Sequence, residues 1–464
     1  MSAPVCSADD AQSQTAHKSW LKFSKQQIDV LIAVAQGKSV FITGSAGTGK
    51  SYILGFIVRF LRDQWGPECV YVTASTGLAA CAVGGTTLHS FAGIGLGTDD
   101  AETLAAKVFG KQECRDRWRR AKVLVIDEIS MIDGELFDKL DYVARELRKR
   151  NDSNNHALCF GGLQLIVTGD FFQLPPVKPS NPRKYFAFEA DCWNKCFDLQ
   201  VELKHAFRQS DEKLIGMLDE IRKGCQTHDT VQLLESCFRV LEDDGSGISP
   251  TRLYPLKVDV RGENMKELHA LGNPIFKFFA QDWVVGSFYR GMLDGMRLEK
   301  ELELCVGAQV MLIKNFDTEA GFVNGARGVV IGFRSLPFKE GDLKEEVVRL
   351  INPLMKWPVV RFACNKAEIV IRPDRQTVES GGMEVASRTQ VPLILAWALS
   401  VHKCQGMTLD KVETDLSKAF DYGMVYVALS RVKNLEGLQL LGFDPSRIKV
   451  HHNVVSFYNQ LSSC

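Results

Sequence analysis

Eight consecutive residues in the first part of the chain have the types and spacing of a phosphate-binding loop, G-x-x-x-x-G-K-S. They are Gly44, Ser45, Ala46, Gly47, Thr48, Gly49, Lys50 and Ser51. Glycines let backbone N–H groups close around phosphates, and the dipole of a following helix favours the same negative charge. We expect Lys50 to bridge the β- and γ-phosphates of bound ATP and Ser51 to hold Mg²⁺. The alternative is a Gly-rich turn of chance composition.

Two further motifs supply groups for the hydrolysis of a phosphate bond. The apolar run 123–126 ends in Asp127 and Glu128. We expect Asp127 to hold Mg²⁺ through its water shell and Glu128 to polarise the attacking water. A later apolar run leads into residues 169–176, where Gln173 is placed to sense the γ-phosphate. Taken alone, each motif has a simpler alternative, a solvated loop for the first and a rigid Pro-Pro turn for the second.

The elements that must position these motifs are short apolar strands that alternate with helical stretches. The predicted strands are 39–43, 70–73, 123–126 and 163–167. This alternation predicts an α/β fold with a parallel sheet covered by helices on both faces. From about residue 309, short β-rich runs are punctuated by glycine and proline until the α/β pattern returns at Pro392. Such a segment is typical of a small inserted barrel.

The order of motifs along the chain resembles that of superfamily-one helicases. Two segments, 84–93 and 137–145, resemble signatures of the Pif-type (petite integration frequency) DNA helicases. The other matching positions are Gln27 and residues 44–51, 73–77, 127–131, 169–177, 207–209, 306–311, 323–328, 396–408 and 426–431. The resemblance covers roughly residues 23–445, with a poor match over 225–300. Gln26 and Cys159 depart from the family pattern, which more often has Glu and Pro there.

The resemblance implies two RecA-like P-loop cores of the α/β class with one ATP between them. It also implies a small helical wedge insertion in the first core and an SH3-like β-barrel insertion in the second. The expected units are a disordered tail over 1–20, a first core over 21–200 with its wedge at about 94–120, and a second core over 201–464 with its barrel at about 315–390. The arginine-rich run 115–120 is either a solvated helix face or a part of the wedge.

The resemblance also implies roles for residues outside the phosphate loop. Gln27 is expected to read adenine, while Arg208 and Arg431 are expected to reach the γ-phosphate as arginine fingers. That role needs an always-charged, forked donor, although a surface salt bridge is the alternative for either arginine alone. The expected DNA contacts are Thr76, His89, His402, Lys403, Tyr426 and Ser430. For His89 a packed core histidine is the alternative.

These implications describe an ATP- and Mg²⁺-dependent DNA helicase that moves 5′ to 3′ on single-stranded DNA. Its expected substrates are duplexes, G-quadruplexes or RNA–DNA hybrids, and its expected roles are genome and telomere maintenance, DNA repair and recombination. An RNA or mixed-substrate helicase is an alternative, because no motif shows how the groove treats the 2′-OH. A second alternative is a P-loop ATPase that remodels a protein partner without unwinding.

Composition limits the partners and the compartment. The 464 residues include 56 basic and 56 acidic ones, so the formal net charge is zero and any polyanion must meet a local basic groove. The 13 cysteines lack zinc-site spacing and indicate free thiols in a reducing compartment. No apolar run approaches the length of a membrane span, and the first residues show no secretory signal. The composition is that of a nuclear or cytoplasmic protein, and the resemblance implies a nuclear protein, with the mitochondrion as a second location, that is monomeric away from DNA.

Overall fold

The structure is a computed structural model of the 464-residue chain. It describes residues 23–149, 158–176, 184–205, 207, 211–242, 247–255, 257–314, 316–317, 320, 322, 324–335, 344–380, 383–402, 404–405 and 407–463. The predicted tail over 1–20, Arg208 and Lys403 lie outside the described residues. None of the helices described is long and apolar enough to cross a membrane.

The first half of the chain forms a parallel α/β core. Its strands are β1 (Val40–Gly44), β2 (Val70–Ala74), β3 (Thr86–Thr87), β4 (Val123–Asp127), β5 (Gln164–Thr168) and β6 (Leu199–Leu203). Its helices are α1 (Lys25–Ala35), α2 (Lys50–Trp65), α3 (Gly77–Ala82), α4 (Leu88–Ala92), α5 (Ala101–Phe109), α6 (Gln112–Arg120), α7 (Gly134–Arg148) and α8 (Trp193–Cys196). The strands pair in the order β3-β2-β4-β5-β1-β6, all parallel. Every residue of β1, β2 and β4 is buried, which confirms the predicted doubly covered sheet.

Helices α4, α5 and α6 lie between β3 and β4, where the sequence predicts the small helical insertion. These helices are packed on the core, because Leu104 and Trp118 are fully buried in the same apolar cluster as α7. Arg117 is also buried, with its guanidinium 5.7 Å from the centre of the Phe91 ring. The run 115–120 is therefore partly packed, and the solvated-face alternative does not describe it.

The second half contains the remaining elements. Its strands are β7 (Thr251–Tyr254), β8 (Phe276–Phe279), β9 (Gln281–Val284), β10 (Glu301–Leu304), β11 (Gln309–Leu312), β12 (Arg327–Arg334), β13 (Trp357–Phe362), β14 (Glu368–Val370), β15 (Asp374–Ser380), β16 (Met383–Gln390), β17 (Leu393–Leu395), β18 (Ala398–Ser400), β19 (Val412–Asp415) and β20 (Leu438–Gly442). Its helices are α9 (Glu212–Lys223), α10 (His228–Glu235), α11 (Lys257–Ala270), α12 (Glu345–Ile351), α13 (Met424–Leu429) and α14 (His452–Ser463).

The second core is a four-stranded parallel sheet in the order β18-β7-β19-β20. Helices α9 and α13 pack on it through an apolar cluster that includes Leu218, Leu253 and Val427. Helix α11 is fixed to β18 because the Asn264 amide exchanges two hydrogen bonds of 2.9 Å with the backbone of Ala398. The predicted second α/β core is confirmed.

A β-rich insertion separates β7 from β18. Its strands form three antiparallel sheets, in the orders β14-β13-β12-β11-β17, β15-β16-β9 and β10-β8. One apolar cluster with Phe278, Val310 and Trp357 packs between the β14-β13-β12-β11-β17 and β10-β8 sheets, and a second, with Tyr289 and Val385, packs on the β15-β16-β9 sheet. The insertion is larger than the predicted 315–390, because it begins at Phe276 and includes β11, which pairs with β12 and β17.

The predicted boundary between the cores at residue 200 is also displaced. Strand β6 pairs in parallel with β1 up to Leu203 opposite Gly44, so the first sheet continues past that boundary. Helix α14, which the sequence places in the second core, buries Val454 and Tyr458 in the apolar cluster of the first core. The chain therefore returns to the first core at its last helix.

Candidate nucleotide site between the two cores

The phosphate-binding loop leaves β1 and ends at the first turn of α2, the strand–loop–helix arrangement expected from the sequence. Gly44 and Gly49 lie at φ values of 143° and 82°, where a side chain is disfavoured. A Cβ on Gly44 would also approach the carbonyl oxygen of Leu203 to 2.5 Å. Glycine is therefore required at position 44 for the loop to lie against the end of β6.

The Lys50 ammonium lies against the loop. Its Nζ donates to the carbonyl oxygens of Gly44 at 2.6 Å and Ser45 at 3.0 Å. Burial lowers the pKa of Lys50, and the nearby carboxylates of Asp170 and Glu128 oppose that shift. A cation within a glycine loop at the start of a 16-residue helix fits the phosphates of a nucleotide.

Further loop residues are tied by hydrogen bonds, one of which comes from the second core. The Thr48 hydroxyl donates to the Ser45 carbonyl at 2.9 Å. The Ala46 N–H donates to the hydroxyl of Tyr426, a residue of α13, at 2.8 Å. Ser51, the predicted Mg²⁺ ligand, is exposed in the first turn of α2. The loop is thus contacted by both cores.

Gln27 and Phe207 border the loop where it joins α2. Gln27 is buried, its Oε1 is held by the capping hydrogen bond at the start of α1, and its Nε2 lies 3.0 Å from the position a Cβ on Gly49 would take. The Phe207 N–H donates to the Gly47 carbonyl at 2.8 Å. This position of Gln27 agrees with a contact to the nucleotide base. Arg208 follows Phe207 but lies outside the described residues, so its role stays a prediction.

The predicted hydrolytic carboxylates stand at the end of β4. Asp127 accepts hydrogen bonds from the Thr168 hydroxyl and, at 2.9 Å, from the Glu128 N–H. Glu128 has φ 53° and ψ 48°, a left-handed conformation whose strain is typical of functional sites. Burial raises the pKa of Asp127, and burial together with the Asp127 charge raises the pKa of Glu128 to about 7. Glu128 is therefore close to the pKa at which a general base works at neutral pH.

Gln405 joins these groups to the second core. Its Nε2 donates to Glu128 Oε2 at 3.0 Å and to Gln173 Oε1 at 3.2 Å. Gln173 in turn donates from its Nε2 to Asp170 Oδ2 at 3.3 Å. The predicted sensor Gln173 thus lies beside the predicted base. The sequence assigns no role to Gln405, although this residue lies inside the matching segment 396–408.

Arg431 lies on the second-core side of the site and is 1% exposed. Its guanidinium donates to the carbonyl oxygens of Val427, Cys404 and Met407 and to the hydroxyl of Ser430. Its charge lowers the pKa of the Glu128 carboxyl against the stronger effect of burial. This position between the cores agrees with an arginine finger, although Arg431 must leave some of these partners to reach a phosphate.

A buried ion pair connects the same region to α9 and α14. Asp170 is fully buried and accepts from Arg222 Nε at 3.2 Å and Nη2 at 3.0 Å. Arg222 lies 4.6 Å from the centre of the Phe172 ring and donates to Glu202 at 2.9 Å. The Tyr458 hydroxyl donates to Asp170 at 3.2 Å. Burial acts to raise the pKa of Asp170, but the charge of Arg222 and that of nearby Lys50 hold it below its usual value.

Comparison with known proteins identifies the family. A family model described as PIF1-like helicase matches residues 22–229, and one described as DNA helicase Pif1, 2B domain matches residues 296–333. The crystal structure of Pif1 helicase from Candida albicans has 41% sequence identity and a TM-score of 0.72 over 95% of this chain and 99% of that one. The chain belongs to the PIF1-like helicase family.

Other members place this chain within the family. The ATP-dependent DNA helicase PIF1 of Xenopus laevis is 44% identical over 442 residues, which make up 95% of this chain and 65% of the Xenopus protein. Pif1 from Bacteroides sp gives a TM-score of 0.73 for its unliganded structure and 0.59 for its complex with ADP-AlF3 and ssDNA. Each Bacteroides match covers 95% of this chain and 97% of the other, at 26% identity. The PIF1-family 2B match at 296–333 agrees with an insertion that begins before residue 315.

Three of the residues predicted to contact DNA keep that role as a prediction in this PIF1-like chain. Thr76 is partly exposed after β2, where its hydroxyl accepts from the Ala79 N–H at 3.2 Å. His89 lies half-buried on α4, and burial lowers its pKa. His402 is partly exposed in the turn after β18, and Lys403 lies outside the described residues.

The structure does not agree with the predicted DNA contacts of Tyr426 and Ser430, because both side chains are buried. Tyr426 is 2% exposed and Ser430 is fully buried, because α13 packs between the sheet of the second core and the phosphate loop. The Ser430 hydroxyl donates to the Val427 carbonyl at 3.1 Å. Neither side chain offers a surface to DNA in this structure. The Tyr426 hydroxyl instead contacts the phosphate-binding loop, where it accepts from the Ala46 N–H.

Arg222→Met is expected to lower the free energy of unfolding by about 3–5 kcal/mol, because it leaves a buried carboxylate without its cation. Methionine keeps most of the apolar length of the side chain, so the loss reports on the two carboxylates paired with Arg222, the fully buried Asp170 and the partly buried Glu202. Urea unfolding followed by circular dichroism measures the change. Arg349→Met is the matched control, since Arg349 forms an exposed pair with Glu345 and such pairs contribute about 0–1 kcal/mol. Equal losses in the two variants would contradict a structural role for the buried pair.

Proposed function

We propose that this chain is an ATP-dependent DNA helicase that moves 5′ to 3′ along single-stranded DNA and separates duplexes. The observation that carries the proposal is a site shared by both cores, since the Ala46–Tyr426 and Glu128–Gln405 hydrogen bonds cross between them. A nucleotide that contacts both cores favours one of their arrangements over another, so its hydrolysis can drive movement. The name of the Xenopus laevis relative, ATP-dependent DNA helicase PIF1, supports the same activity.

Each residue of the site has a separate role in binding or hydrolysing ATP. Lys50 binds the β- and γ-phosphates, and Gln27 contacts the base. Ser51 and the Asp127 carboxylate supply the oxygen ligands that Mg²⁺ prefers, and the ion neutralises phosphate charge when bound. Glu128 takes a proton from the attacking water, and its pKa of about 7 suits that task at neutral pH. Gln173 lies beside Glu128 and orients the water, while Arg431 stabilises the charge of the γ-phosphate.

Single-stranded DNA is proposed to cross both cores. Thr76 and His89 contact it on the first core and His402 on the second, since hydroxyl groups bind phosphates and aromatic rings stack on bases. Because the formal net charge is zero, the affinity depends on such local contacts more than on the field of the whole protein. The complex of Bacteroides Pif1 with ssDNA supports this class of partner.

We also propose finer features, which rest on the resemblance of the sequence motifs. The junctions opened are those of duplexes, quadruplexes or RNA–DNA hybrids, and the roles are in genome and telomere maintenance, DNA repair and recombination. The protein acts in the nucleus and also in the mitochondrion, and it is monomeric away from DNA.

Stimulation of ATP turnover by nucleic acid tests the proposal. Turnover with ATP and Mg²⁺ is measured without nucleic acid, with single-stranded DNA and with single-stranded RNA of the same sequence. We expect DNA to raise turnover by about tenfold or more, which requires only about 1.4 kcal/mol of extra transition-state stabilisation. Equal stimulation by RNA would instead indicate an RNA or mixed-substrate helicase. No stimulation by either would contradict the proposal and favour an ATPase that acts on a protein partner.

A further inference from the structure

One amide nitrogen of the second core holds two hydrolytic side chains of the first. Gln405 Nε2 lies 3.0 Å from Glu128 Oε2 and 3.2 Å from Gln173 Oε1. The backbone of Glu128 and the side chain of Gln173 are held within the first core. Glu128 follows Asp127 in a left-handed backbone conformation, and Gln173 is 5% exposed and bonded to Asp170. The position of the Glu128 carboxylate in this arrangement is therefore set by Gln405.

Gln405 itself lies in a short turn after β18, whose described residues are 401–402, 404–405 and 407 and which we call the Gln405 turn. The Cys404 N–H donates to the Ser400 carbonyl at 3.1 Å, and the Met407 N–H donates to the Cys404 carbonyl at 3.0 Å. Arg431 Nη1 lies 3.4 Å from the carbonyl oxygens of both Cys404 and Met407. These hydrogen bonds tie the Gln405 turn to the end of β18 and to Arg431.

The hydrogen bond from Gln405 restrains the chemistry of Glu128. A general base must come within hydrogen-bond distance of the proton that it removes. The Glu128 oxygen that accepts from Gln405 has less capacity to accept from water, and the carboxylate is directed toward the second core. The bond from Gln405 therefore fixes the direction of the Glu128 carboxylate, while its other oxygen keeps its own acceptor sites.

We propose that Gln405 is a positioning residue that restrains Glu128 until a strand of DNA engages the Gln405 turn, and that it thereby makes ATP hydrolysis depend on DNA. The inference rests on the proposed helicase function and on the predicted contact of His402 with the strand. When DNA displaces the turn, the Gln405 amide leaves Glu128 and Gln173, and both become available to water. Arg431 shares the turn, so the same displacement also frees its guanidinium for a phosphate.

Gln405→Met tests the proposal because methionine has a similar length and no N–H donor. ATP turnover is measured without DNA and with saturating oligo(dT), together with the KM for ATP and the thermal unfolding midpoint. We expect DNA-free turnover to rise by about tenfold, the scale of one hydrogen bond to a charged group. Turnover with saturating DNA and the KM should stay within about twofold of the wild-type values, because neither depends on the restraint.

Gln439→Met is the matched control. Gln439 Nε2 donates to Glu413 Oε2 at 3.0 Å, a bond of the same kind between β20 and β19. This variant should keep the wild-type ratio of DNA-stimulated to DNA-free turnover. A folded Gln405→Met variant with an unchanged ratio of DNA-stimulated to DNA-free turnover would overturn the proposal. A lower ratio that came only from slower turnover with saturating DNA, and not from faster DNA-free turnover, would overturn it too. If ATP turnover of the wild-type protein were the same with and without DNA, the proposed function would be overturned as well.

Discussion

Glu128→Gln is expected to lower ATP turnover by about 10²–10⁴-fold, the contribution typical of a general base. The amide has nearly the shape of the carboxylate but cannot accept a proton from water. Nucleotide affinity should stay within a few-fold of the wild-type value, because Glu128 does not belong to the phosphate-binding loop. Single-turnover hydrolysis and the binding of a fluorescent ATP analogue measure the two quantities separately.

Two further variants show whether this effect is specific. Lys50→Ala should weaken nucleotide binding itself, because the phosphates lose the cation that now lies against the carbonyls of Gly44 and Ser45. Glu345→Gln, at an exposed position on α12, should change neither quantity. If Glu128→Gln and Lys50→Ala reduced nucleotide affinity equally, the separate roles assigned to the two residues would be wrong.

Arg431→Ala is expected to lower DNA-stimulated turnover by about 10³-fold or more, judged from other arginine fingers. The guanidinium is buried between the cores, and its charge already acts on Glu128. Arg431→Lys should recover little of the loss, because an ammonium cannot replace a planar fork that binds two oxygens. The test is steady-state turnover with saturating single-stranded DNA.

Arg431 also holds the Gln405 turn, so folding must be checked separately. Thermal unfolding of Arg431→Ala should remain cooperative, and its affinity for DNA without nucleotide should be nearly that of the wild type. A folded Arg431→Ala variant with near-normal DNA-stimulated turnover would show that this arginine does not act on the phosphate.

The groups of the site that are close in sequence could be predicted. The loop at 44–51 and the carboxylates Asp127 and Glu128 each follow a short apolar strand, and the structure places them as that local pattern requires. The parallel order of the strands then brings these loops to one edge of the sheet.

What could not be predicted depends on contacts between distant segments. Asp170 and Arg222 are separated by 52 residues, and Asp170 and Tyr458 by 288, so no local pattern relates them. Gln405 lies 277 residues from Glu128. In each case the partner is chosen by the packing of α9, α14 or the Gln405 turn against the first core.

The predicted boundaries of the cores and of the insertion differ from those in the structure for a related reason. The apolar sequence of β11 would suit either a strand of the parallel core or a strand of the β-rich insertion. Its pairing with β12 and β17 shows that it belongs to the insertion. Likewise, the matching segment 426–431 does not show that Tyr426 is covered by the phosphate loop. Local sequence determines that α13 is a helix, but burial depends on the approach of the two cores.

Strand displacement on 5′-tailed, 3′-tailed and blunt duplexes of one sequence tests the central claim, ATP-driven movement from 5′ to 3′ on DNA. With ATP and Mg²⁺, the 5′-tailed duplex should open and the 3′-tailed and blunt duplexes should remain paired. The same reaction without ATP, or with the Lys50→Ala variant, should open none of them. Preferential opening of the 3′-tailed duplex, opening without ATP, or ATP turnover stimulated by DNA with no opening of any substrate would contradict the claim.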